Sequence, residues 1–244
     1  MRVLFRTVLL TSVLLGACSS GPKYKIDDAL LADVPMSDKA QMLQIQNELN
    51  QANEEKNKAQ SDAAIADKEL HFADAEYDKA KAEVNMAKAE RELADTTKDL
   101  NRMNSAKSNL ELKQLAKDVA DAKIDAAKAR RSHARALVEA AEKRTVALQA
   151  RYEQSKAQLA AAKGKKPTAD FAVSTFDEQA SDAQRKADDA KASADRRQLE
   201  ATQAHSKYNQ IFQKLQMTMG TQMQPGVQPQ PGMQPQYPQP GMQP

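Results

Sequence analysis

The chain has 244 residues but one cysteine, no tryptophan, seven glycines and only 4% aromatic residues. A lone cysteine excludes an intramolecular disulfide. The few glycines form no phosphate-cradling loop. With so few bulky side chains, and with alanine inflating the 41% hydrophobic content, a compact core of ordinary density is hard to build. No apolar run approaches the ~20 residues that cross a bilayer as a helix. An excess of one charge sign is missing too. Lysine plus arginine number 36 against 33 acids, so there is no clustered basic face to predict nucleic acid as a partner. The densest basic spot, Lys163-Gly164-Lys165-Lys166, reads as a solvated loop. His71, His133 and His205 stand far apart and read as packed or exposed helical histidines, not metal ligands. The acids lie among lysines on polar faces, the pattern of solvated surface charge. Long helices with a one-sided seam offer no deep pocket. These absences predict no enzyme: no catalytic residue, cofactor, metal or small-molecule substrate.

What is present is alanine, lysine, glutamate, aspartate, glutamine and leucine, the composition of long helices and coiled coils. A seven-residue period begins after Ser37, which offers a helix N-cap. One register reads Met42, Leu49, Lys56, Ala63, Leu70, Tyr77, Val84. Its companion, three residues on, reads Ile45, Ala52, Ala59, Ala66, Ala73, Ala80, Ala87, Ala94. A sustained 3-4 alternation predicts a coiled coil. The seam is thin, because a buried alanine methyl contributes at most about 0.8 kcal/mol. Near Asn101 the period loses phase, and Leu112, Leu115, Val119, Ala122, Ala126 and Ala129 follow a displaced register. With Ser108-Asn109-Leu110-Glu111 shaped as a capping box, this predicts a turn near 102–108. The alternative is one unbroken rod.

Gly164 and Pro167 close the second helix. A linker over 164–176 carries Phe171 and Phe176, expected to pack on a helix face, and Thr175 to Glu178 forms a second capping box. A third heptad run then extends from Phe176 through Ala180, Ala187 and Ala194 to Leu215. After Gly220 the chain repeats Gln-Pro-Gly, a composition that cannot bury a core and predicts a disordered tail with polyproline II bias. The fold class is therefore all-α: a long antiparallel helical hairpin or coiled coil over 37–163, a third long helix over 177–219 and a disordered tail over 220–244. Gly21-Pro22 and Asp33-Val34-Pro35 block helix before it, so 18–36 reads as a flexible tether.

The N-terminus carries Met1-Arg2 and Arg6, an apolar run from Val8 to Leu15, then Gly16-Ala17-Cys18. A charged start, a short apolar stretch and small residues before a cut form a secretory signal. Leu15-Gly16-Ala17-Cys18 resembles the lipobox of bacterial lipoproteins. That resemblance covers the first ~20 residues, the usual reach of such a signal. It implies a signal peptide over 1–17, cleavage after Ala17, a diacylglycerol thioether on Cys18 and acylation of the new N-terminus, palmitate among the chains. Cleavage takes Arg2 and Arg6 and no acid, which lowers the basic count from 36 to 34 against 33 acids. Ser19 stands where aspartate would commonly retain a lipoprotein in the inner membrane, so the resemblance implies the outer membrane, facing the periplasm. The expectation is an elongated helical spacer or interaction scaffold. Its partners are the membrane, through the acyl chains on Cys18, and either itself or envelope proteins, through the heptad seams. The alternatives are an accessory subunit of an efflux, secretion or motility complex, and a periplasmic holdase chaperone.

Overall fold

The computed structural model describes residues 21–167 and 171–222. Among them the regular structure is all helix: α1 spans Ala40–Thr97, α2 Leu100–Ala162 and α3 Val173–Gln222, preceded by short 3-10 helices at Asp28–Leu31 and Met36–Lys39. The chain divides into two compact units. The first comprises Met1–His71 with Ala127–Thr202, the second Phe72–Ala126 with Gln203–Pro244. Each long helix contributes one segment to each unit.

The hairpin is present, and its turn is at Lys98–Asp99 rather than within 102–108, which is helical. Lys98 takes a left-handed backbone with φ 55°. Asp99 then starts α2 as an N-cap. Its Oδ1 accepts from the amides of Asn101 at 2.9 Å and Arg102 at 3.3 Å, and its carbonyl accepts from Met103 N–H at 2.9 Å. The hydroxyls of Thr96 and Thr97 donate back to the carbonyls of Leu93 and Ala94. Such back-bonding weakens the end of a helix. One capping aspartate thus outweighs the asparagine and serine cluster after it, because those polar side chains sit on an exposed face that a helix tolerates.

The seam holds as expected. Met42, Ile45, Ala52, Ala66 and Leu70 are buried on α1 in the first unit, and Ala73, Val84, Ala87 and Ala94 in the second. α2 runs antiparallel to α1 in each. Ion pairs fix the register. In the first unit Glu48 meets Arg151 at 3.7 Å, Glu55 meets Arg144, and Glu69 meets Arg130 at 2.7 Å. In the second, Glu76 meets Lys123 at 2.5 Å, Glu83 meets Lys113 at 2.8 Å, and Glu90 accepts from Asn109 at 3.0 Å.

α3 begins at Val173, four residues before the expected start and ahead of Thr175, so that residue is not its cap. In the first unit α3 lies antiparallel to α2, burying Phe176, Ala180, Ala187, Ala190 and Ala194. There Asp177 accepts from Gln154 at 2.8 Å and from Gln158 at 3.3 Å. In the second unit Leu215 is buried, and Tyr208 stacks on Phe212 with ring centres 5.9 Å apart. Of the expected tail over 220–244, residues after 222 lie outside the described residues.

Candidate functional site

The stretch expected to be a flexible tether is, from residue 21 onward, packed into the first unit. Ile26, Leu31 and Val34 are buried, and Leu31, at 2% exposure, is the largest side chain so deeply enclosed among the described residues. Proline and glycine forbid helix there, but they do not forbid burial. Asp27 caps the short 3-10 helix, accepting from Ala29 N–H at 3.0 Å. That turn aims Leu31 and then Val34 at Met42 of α1 and Ala160 of α2. Ile26 packs with Ala157 and Phe176, and Phe171 flanks the same cluster. Each large aliphatic side chain so buried contributes about 1.5–3 kcal/mol, against at most about 0.8 for an alanine methyl. The thin alanine seam is therefore supplemented by a denser core at this end.

Lysines of the second half of α2 and its following loop clasp the segment. Lys156 and Glu153 are both buried. Ile26 N–H donates to Glu153 Oε2 at 2.7 Å. Lys156 Nζ donates to Ile26 O at 2.9 Å, to Glu153 Oε1 at 3.0 Å and to Asp28 Oδ1 at 2.8 Å, and lies 4.9 Å from the Tyr152 ring centre. Burial would push the Lys156 ammonium toward deprotonation. Its hydrogen bonds to Asp28 and Glu153 and their charges outweigh that, and hold it charged above the ordinary lysine range. Burial, then the Asp28 charge, pushes the Tyr152 hydroxyl up.

The end of α2 places the next lysines. Gly164 has φ +68°, Lys165 N–H reaches back to Ala160 O at 2.9 Å, and Gly164 N–H to Ala161 O at 3.0 Å. This is a Schellman cap, for which glycine suits the left-handed position. It turns Lys165 onto the N-terminal segment, where Nζ donates to Leu30 O at 2.8 Å and pairs with Asp33. Lys163 pairs with Asp38 at 2.6 Å. The Lys165 hydrogen bond lowers the Asp33 carboxyl below its ordinary value, and Lys163 does the same for Asp38. The Lys163–Lys165 stretch, expected as a solvated loop, is thus a clasp. Tyr24 completes it: its N–H donates to Gln179 Oε1 at 2.8 Å, Gln179 Nε2 donates to Tyr24 O at 3.2 Å, and its ring lies 6.1 Å from that of Phe176.

Cys18 and the cleavage point after Ala17 lie outside the described residues. The clasp reaches within three residues of Cys18, because Gly21 sits beside the Gln149 side chain. From there the segment runs toward the end of α2, passing Glu153 at Ile26 and Lys165 at Leu30. Among the histidines, His71 and His205 are exposed and His133 is half-buried. Burial lowers the His133 pKa, and the charge of Asp195 opposes the shift. Among the described residues no group of three or more histidines, cysteines or acids is placed to hold a metal ion, and no helix is long and apolar enough to cross a membrane. In the first unit α1 and α3 leave an open groove over α2, floored by Leu137, Ala140 and Leu148 and walled by Glu55, Asp62 and Lys191. What the site does is hold a chain segment.

The acids that fix the hairpin register went unread in the sequence, although the signal was there. Glu48, Glu55, Asp62, Glu69, Glu76, Glu83 and Glu90 form an unbroken acidic column at seven-residue spacing. It lies three positions after the alanine column, where coiled coils place the charges that choose partner and orientation. No protein-family model, curated protein or solved structure matches this chain.

Proposed function

We propose that this protein is a lipid-anchored component of a bacterial cell envelope, acylated on Cys18 and working as a non-enzymatic helical spacer or interaction scaffold on the periplasmic side of the outer membrane. The lipobox-like Leu15-Gly16-Ala17-Cys18 carries this reading, and the clasped segment 21–39 bears on what such an anchor would do. Three chain steps separate Cys18 from Gly21, a reach of at most about 11 Å. An acyl group on Cys18 would therefore hold the first unit against the bilayer, instead of letting it swing on a long leash. Gln149 lies thirteen residues before the end of α2, about 20 Å at helical rise. The anchor would thus emerge from the flank of that unit. Several acyl chains give the stable membrane attachment that one chain does not.

Fractionation tests the anchor. Cys18→Ala should move the protein from the membrane to the soluble periplasmic fraction, and mass spectrometry of the wild type should find a mature terminus at Cys18 carrying diacylglycerol and a further acyl group. A variant that stays in the membrane, or an unmodified terminus, would overturn the proposal.

A further inference from the structure

The α1 helix carries a second seam, on the face turned away from its core. Within the second unit, Phe72, Met86 and Leu93 are 71%, 66% and 55% exposed. They stand in one heptad column, interrupted by Lys79. Three positions on runs a parallel column, Ala75, Ala82 and Ala89, all exposed. The 3-4 alternation that buries the inner seam is thus repeated on a face whose apolar members are all exposed, with Tyr208 and Phe212 of α3 near Lys79 at one edge. It spans three heptads, about 33 Å, the length at which such a pattern begins to specify a coiled coil.

The flanks of this seam say what kind of helix fits it. On one side stand Glu76, Glu83 and Glu90; on the other stand Asp78, Asn85 and Glu92. Neither flank has a lysine or arginine. A second copy laid on the same face, parallel or antiparallel, would set acid against acid, and like charges at these positions select against a pairing. Among the described residues no base pairs with Asp78 or Glu92, whereas Glu76 and Glu83 already have Lys123 and Lys113. With Glu76 and Glu83 already paired, the Asp78 and Glu92 edge is the one that calls most strongly for base on the occupant.

We propose that this face of α1 docks an amphipathic helix of another protein, one whose apolar stripe is bordered by lysine or arginine. Lys79, alone in the large apolar column, fixes the register of that partner, as a single polar residue at such a position does. The surface is independent of Cys18 and of the anchor.

Two synthetic peptides of four heptads, each with leucine at both seam positions, test it. One carries lysine at both flanks and the other glutamate, so neither pairs well with itself. Fluorescence anisotropy against the full chain should show saturable binding of the lysine peptide, at least tenfold tighter than the glutamate peptide and weakened by salt. The triple variant Phe72→Ser/Met86→Ser/Leu93→Ser changes only exposed side chains. It should keep its helical circular dichroism and lose at least tenfold in affinity. Failure of the lysine peptide to bind, equal binding of both peptides, or undiminished binding to the triple variant would overturn the proposal. So would self-association of the wild type, seen by sedimentation and abolished in the triple variant, since a second copy would then be the occupant.

Discussion

Replacing Lys156 by methionine puts the clasp to its sharpest test. The lysine gives its three hydrogen bonds to Ile26 O, Glu153 and Asp28 from a side chain only 5% exposed. Methionine fills the volume and removes the charge. Asp28 is largely solvated and loses little; the Glu153 side chain, 10% exposed, is left with the Ile26 amide alone. Stranding one member of a buried pair costs about 3–5 kcal/mol. The expected loss at pH 7 is therefore about 3–5 kcal/mol. Native-state hydrogen exchange reads this directly at the amides of Ile26, Leu30 and Val34. Their protection should fall several hundred-fold at pH 7 in Lys156→Met, and the double variant Glu153→Gln/Lys156→Met should recover most of it. A fall of less than tenfold at pH 7, or a double variant as poorly protected as the single one, would refute the reasoning.

The remaining predictions concern the turn and acid. Lys98→Gly relieves a left-handed backbone that costs a non-glycine residue roughly 1–2 kcal/mol but loosens the unfolded chain by about 0.5–1, so denaturation should show a net gain of about 0.5–1 kcal/mol; a loss would argue that the turn lies elsewhere. Asp33 and Asp38 have folded pKa values lowered by Lys165 and Lys163. Their contribution is present above the ordinary carboxylate value near 4 and is lost as pH falls through the lowered folded values. Protection of residues 26–38 should therefore drop below pH 4 before that of the α2 residues they cover, and Asp33→Asn/Asp38→Asn should abolish the difference. Lys156, shifted the other way, is fully charged below the ordinary lysine value and holds its contacts until pH rises through its raised one, so no loss is expected between pH 6 and 9.

The helices were legible because heptad spacing survives without any knowledge of partners. Ile45, Ala52, Ala66, Ala73, Ala87 and Ala94 are buried as their spacing implies. The turn was misplaced because polar residues announce turns only on average. Asn101, Asn104 and Ser105 face solvent and leave the helix intact, while Asp99 closes one helix end by hydrogen bonds that many aspartates in this chain could make. The clasp was illegible for a different reason. Gly21-Pro22 and Val34-Pro35 report what the backbone cannot do, not where the side chains between them go. Ile26, Leu31 and Val34 have no helical or alternating period, so nothing local says that they are core. Lys163 and Lys165 were invisible for the same reason: their partners, Asp38 and Asp33, are more than 120 residues away in sequence.

The acidic column explains how so thin a seam holds one alignment. Alanine against alanine is nearly the same in every register, so a slip of seven residues would cost the apolar seam little. Each ion pair between α1 and α2 is at least a third exposed and worth about 0–1 kcal/mol, too little to hold the hairpin together by itself. As the means of choosing among registers, the pairs suffice. In the first unit a seven-residue slip would carry Arg144 away from Glu55 to face Asp62, and would set Leu137 instead of Arg130 opposite Glu69. Because the column is regular and its partners are not, the gaps at Leu137 and Ala116 mark the alignment. In the first unit the clasped apolar end adds large buried side chains to the alanine seam, while the choice of register falls to charges that individually stabilise little.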